Sequence, residues 1–131
     1  MRREFDLPEG DGEHLDARAC PWETIGTNGN RWLLIDGYPI PEGYNCRKAL
    51  LALLIEPSYP DTQIDMVYFF PALVLASGRT ISALSNQEID GRTFQRWSRH
   101  RTATNPWRPD VDCIATHLLQ VDEWLTREVQ R

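Results

Sequence analysis

Ala49 to Ile55 is an unbroken run of seven apolar residues, with Lys48 before it and Glu56 after it. A segment this uniform has no polar face to offer water, so it predicts a sheet position covered on both sides. Pro57 and Pro60 end it abruptly, which favours a strand, set here at Arg47 to Glu56, over a helix of the same length. The run is far short of the roughly 20 apolar residues a membrane helix needs. No apolar stretch of signal-peptide type follows the opening Arg2-Arg3-Glu4. The expectation is a protein that neither enters a membrane nor is exported.

Three more strands are predicted around this one. Trp22 to Ile25 and Arg31 to Ile35 flank Thr27-Asn28-Gly29-Asn30, and Asn-Gly is a strong hairpin signal because both central positions need positive φ. Asp65 to Phe70 follows the proline block and is closed by Pro71. Short turns join the four, which gives an antiparallel meander. Residues 1–20, interrupted by Pro8, Gly10 and Gly12, read as a loosely structured lead-in with at most a short helix over Glu9 to Ala17. Ala76 to Asp90 offers a short strand at Thr80 to Leu84, and Gly91 to Pro109 reads as irregular and polar.

The chain closes on a clear helical pattern. Val111, Ile114, Leu118, Val121, Leu125 and Val129 recur at spacings of three and four, so a helix from Asp110 to Val129 has one apolar face, with Asp110 as its N-cap. Burying those side chains contributes on the order of 1.5–3 kcal/mol each before entropy is subtracted. The fold class is therefore α+β, a four-stranded antiparallel meander with a C-terminal helix packed on the sheet. At 131 residues the chain is the size of one domain.

The net charge of −5 conceals an asymmetry. Residues 1–65 sum to −6 and residues 66–131 to +1, and Arg92 to Arg108 holds five arginines and no acid. One basic stretch on an acidic protein points to a specific anionic contact more than to general nucleic-acid binding. The three cysteines, Cys20, Cys46 and Cys113, are too few and too widely spaced for a disulfide framework or a paired-cysteine zinc site, which fits a reducing cytoplasm. Cys113 and His117, four apart on one helix face, have metal-ligand spacing but no evident third ligand, so neither a metal nor another cofactor is expected.

The order of these elements resembles the ubiquitin-conjugating (UBC) fold. Trp32 to Pro39 is similar to that family's first core strand and its Gly-Pro turn, and Leu50, Ala52 and Leu54 alternate ahead of Glu56-Pro57-Ser58-Tyr59-Pro60 as its Phe-Pro-x-x-Tyr-Pro strand does. Asp65 to Pro71 sits where the family carries a fourth strand and a His-Pro-Asn turn, here Phe70-Pro71-Ala72. Trp107-Arg108-Pro109 before an apolar helix matches its Trp-x-Pro. More narrowly, Asp65-Met66-Val67-Tyr68 and Gln95-Arg96-Trp97-Ser98-Arg99-His100 resemble the prokaryotic class-E branch over Trp22 to Val129.

That resemblance implies a part in a bacterial ubiquitin-like pathway, of the kind found in antiphage operons. Its partners would be a ubiquitin-like protein, an activating enzyme and a JAB-type metalloprotease. Ubiquitin carriers hold their cargo as a thioester on a cysteine shortly before the Trp-x-Pro. Here that region reads Ser98-Arg99-His100, and no cysteine lies between Cys46 and Cys113. Two versions therefore stand: a catalytically silent homologue that binds the ubiquitin-like protein or its activating enzyme, and a non-thiol transferase using His100, with Ser98 beside it. An acyl-imidazole hydrolyses easily, so a general base or orienting group is the more plausible role for His100. Arg96, Trp97, Arg99, Arg101 and Trp107 fit contact with a partner or a carboxylate anion, since guanidinium forks match carboxylate geometry. The same residues carry a lower-ranked reading as a nucleic-acid module, tryptophans stacking on bases between arginines.

Overall fold

The computed structural model describes residues 1–131. Its elements in chain order are α1 (Glu9–Ala17), β1 (Trp22–Thr27), β2 (Asn30–Pro39), β3 (Lys48–Leu54), β4 (Val67–Phe70), β5 (Leu84–Ile89), β6 (Arg92–Trp97) and α2 (Ile114–Gln130). The architecture is α+β, but the sheet has six antiparallel strands in the order β1-β2-β3-β4-β6-β5, not four. The two added strands form a hairpin over residues expected to be mostly irregular. Its turn is Asp90-Gly91, with φ values of 52° and 77°, close to the 52° and 79° of Asn28-Gly29 in the first hairpin. β5 is an edge strand whose middle four residues are polar, so it lacks the apolar pattern of the other strands.

The uniform run of β3 does sit between two covers. On one face, Leu33, Ile35, Leu51, Leu53, Phe69 and Trp97 are buried beneath α2, which contributes Ile114, Leu118, Val121, Trp124 and Leu125. On the other face no helix lies against the sheet. Ile25, Trp32, Leu34, Ala52, Tyr68, Ile89 and Phe94 instead bury one another in a second cluster. Trp32 and Tyr68 meet edge to face there, with centroids 5.0 Å apart.

This second cluster is closed by the curl of the sheet. β1 and β5 lie at opposite margins, yet Arg2 bonds Glu23 of β1 at 3.0 Å and Asp90 of the β5–β6 turn at 2.8 Å. One side chain thus spans the gap, and hydrogen bonds from Arg2 hold the Glu23 carboxyl down to about 2. The lead-in is ordered: Arg3 bridges Thr24 in parallel, and α1 buries Leu15 and Asp11.

The last helix begins later than its apolar pattern suggests. Val111 and Asp112 fold back in a turn on the Arg108 carbonyl, so Cys113 occupies the N-cap and Asp110 does not cap. The Cys113 N–H donates to Thr116 Oγ1 at 2.9 Å, and that hydroxyl donates to Asp112 Oδ1 at 3.0 Å. Val111 at 54% and Val129 at 37% exposure mark the ends of the apolar stripe, which is buried only between them. Gly43, at φ +110°, lies so close to α2 that a Cβ there would fall 2.7 Å from Val129.

Candidate functional site

The proline block after β3 organises the ground beneath the site. Tyr59 donates its hydroxyl proton to Asp11 Oδ2 at 2.6 Å and accepts the Ile114 N–H at 2.9 Å. α1, the block and the first turn of α2 therefore meet at one phenol, and burial together with the Asp11 carboxylate raises its pKa. The adjoining Pro60 carbonyl accepts the Trp107 indole N–H at 2.9 Å, which fixes the Trp-Arg-Pro segment. Beyond β4, the backbone around Leu73 is held by Gln95 (Leu73 N–H to Gln95 Oε1, 2.9 Å) and by Asn45 (Val74 N–H to Asn45 Oδ1, 2.9 Å).

The Gln95-to-Arg101 stretch leaves β6 with its side chains alternating, and this separates residues that are neighbours in sequence. Arg96 opposes Tyr68 on the curled face, whereas Trp97 points into the helix-side core with none of its surface exposed. The Trp97 indole N–H donates to Gln95 Oε1 at 2.9 Å, so the ring offers no free face to a base or a partner. Arg99 pairs with buried Glu128 at 3.4 Å, and Arg101 with buried Asp112 at 3.6 Å while lying over the Trp107 ring. Burial alone would raise the Asp112 pKa; the Arg108 N–H, the Thr116 hydroxyl and Arg101 outweigh it and lower the value. Arg96, Trp97, Arg99, Arg101 and Trp107 thus do not converge on one anion seat, and Trp97, Arg99 and Arg101 are already engaged with Gln95, Glu128 and Asp112.

His100 stands apart from this packing. Its imidazole is 60% exposed, and Nδ1 lies 3.0 Å from both carboxylate oxygens of Asp65. A carboxylate on Nδ1 selects the tautomer that carries its proton there and leaves the lone pair on Nε2, for which the protein supplies no partner. Ser98 is half-buried and forms no side-chain hydrogen bond with His100; its N–H binds the Ala83 carbonyl. The partner the structure gives His100 is Asp65, from the segment before β4. The signal lies in the register: Val67 pairs with Trp97, so continuing the antiparallel ladder brings residue 65 beside residues 99 and 100.

None of the three cysteines shares this surface patch through a hydrogen bond. Cys20 donates to the Gly37 carbonyl, Cys46 precedes β3 against the main core, and Cys113 occupies the α2 N-cap. All three are free thiols. His117 is buried with its Nε2–H on the Met66 carbonyl at 2.9 Å and its Nδ1 unpartnered, and burial lowers its pKa to about 4. Nowhere do three or more His, Cys, Asp or Glu side chains gather as metal ligands. No helix is long and apolar enough to cross a membrane.

Compared with known protein families, residues 7–128 match the family model described as Prokaryotic E2 family E. No curated protein and no solved structure matches the chain.

Proposed function

Because the chain belongs to the prokaryotic E2 family E, we propose that it serves as a ubiquitin-conjugating-like component of a bacterial ubiquitin-like conjugation pathway in the cytoplasm. It works there without a thiol at the usual position and binds the ubiquitin-like protein, its activating enzyme, or both. The observation that carries this reading is the extent of the family match, residues 7–128, which takes in the meander, the β5–β6 hairpin and nearly all of α2. An operon that also encodes a JAB-type metalloprotease, of antiphage type, is the setting this role fits.

A second reading is favoured by the His100–Asp65 pair. In it the protein is an active transferase in which His100, oriented by Asp65, removes a proton from the attacking group as the tail is passed on. No stable acyl-imidazole is needed for that role. The exposed Nε2 is open to an incoming nucleophile, and Ser98 lies two residues away in the chain.

The two readings separate in one experiment. The protein is incubated with its cognate activating enzyme, ubiquitin-like protein and ATP, and adducts are resolved by mass spectrometry. Binding with no adduct supports the silent homologue. An adduct or transfer product that persists in a triple Cys20→Ser/Cys46→Ser/Cys113→Ser variant but is lost in both His100→Ala and Asp65→Asn supports the transferase. A thiol-sensitive adduct on Cys46 or Cys113 overturns both, and so does failure to bind either partner.

A further inference from the structure

A cleft of about 550 Å³ lies at one end of the curled face, away from His100. Its volume falls within the roughly 300–1,000 Å³ typical of small-ligand sites. The floor is apolar: Leu34 of β2, Leu50 of β3 and Phe70 of β4, the last 36% exposed. The charges around it are sorted by strand. Glu23 and Asp36 stand on the β1–β2 side, and Lys48 and Arg92 on the β3 and β6 side. Glu23 is held by Arg2, but Asp36, Lys48 and Arg92 take part in no ion pair. Arg92 lies over the Phe70 ring at 5.8 Å, so its charge is carried at the edge of the apolar floor.

Negative groups on one side, positive groups on the other and an apolar floor between them complement a particular kind of molecule. It has a carboxylate, a nitrogen that donates hydrogen bonds and an aliphatic or aromatic side chain close together. The geometry points to this cleft as a binding site for an apolar α-amino-acid unit, with the carboxylate at Lys48 and Arg92, the nitrogen at Glu23 and Asp36, and the side chain on Leu34, Leu50 and Phe70. A free amino acid and the last residue of a peptide share this chemistry. The site does not depend on His100 or on the conjugation pathway, so it stands or falls separately.

The test is an amide-resolved NMR titration of the full chain with leucine, leucinamide and the tripeptide Gly-Gly-Leu at about 10 mM, where a millimolar site is largely filled. The expected result is shifts centred on Leu34, Leu50 and Phe70, with leucinamide binding at least about tenfold more weakly than the two carboxylate probes. A Lys48→Gln/Arg92→Gln variant should lose that tenfold preference while melting at an unchanged temperature, since both side chains are exposed. Tighter binding of the tripeptide identifies a chain end as the ligand, and tighter binding of leucine a free amino acid. Equal binding of leucinamide, shifts centred elsewhere, or no shift with any probe overturns the proposal.

Discussion

The two faces of the sheet reach the same burial by different means. The helix side is covered by a separate layer, α2, whose apolar stripe runs along a single segment of chain. The other side has no layer to cover it and is closed by curvature, by a hairpin added at the margin and by one arginine from the beginning of the chain. Ile25, Ile89 and Phe94 are as completely buried as the residues beneath α2. A sheet of sufficient width can therefore serve as its own second layer when its margins are brought together.

The strongest way to break this comparison is to hollow out each face in turn. Trp97→Ala on the helix side and Phe94→Ala on the curled side should each cost about 3–5 kcal/mol, measured by denaturant unfolding. A loss below about 1 kcal/mol for Phe94→Ala would mean that the second cluster is not a core.

Acid should distinguish the faces next, because His117 belongs to the helix side and the curled cluster contains no histidine. The unfolded chain takes up this proton near the ordinary 6.5, whereas the buried ring resists it down to about 4. Stability should therefore fall as pH drops from about 6.5 to 4, by on the order of 3 kcal/mol in total, and lose nothing further from this group below that. His117→Gln should flatten the slope within that window in pH-dependent melting.

Tyr59→Phe comes third. It removes the donor to buried Asp11 and the acceptor of the Ile114 N–H at the entry to α2. A cost of about 1–3 kcal/mol in denaturant unfolding is expected.

Arg2→Ala should be the mildest in global terms, under about 1 kcal/mol, because its ion pairs are largely solvent-facing. Its local signature sharpens the comparison. Amide hydrogen exchange should accelerate at Ile25 and Ile89 but not at Leu33 or Leu51, and added salt should reproduce the effect in the parent protein.

Much of the helix side was legible in the sequence, because each of its signals is local. The run from Ala49 to Ile55, the Asn28-Gly29 turn and the spacing of Ile114, Leu118, Val121 and Leu125 each announce an element without reference to anything distant. The curled side is less legible for the opposite reason. Asp90-Gly91 carries the same hairpin signal as Asn28-Gly29, but Ser85 to Glu88 disguise an edge strand as a loop. Nothing near Arg2 indicates that it reaches Asp90, 88 positions away. The site divides in the same way. His100 is conspicuous by residue type, while its pairing with Asp65 follows only from the register of β4 against β6. Which acid each arginine takes is not readable from sequence, because the partners, Glu128 and Asp112, come from the far end of α2 and the turn before it.

Gly43 lets the end of α2 sit close against the β2–β3 connection. The absent side chain at that position lets the final turn of α2 settle where it does, with Val129 against the backbone of residue 43. The preceding residue, Glu128, grips both Arg79 and Arg99, and Arg99 adjoins His100 in the chain. A side chain at position 43 would have to displace Val129 from a strained backbone, so the seat of the α2 terminus, and with it the Glu128 contacts to Arg79 and Arg99, rests on a residue with no chemistry of its own.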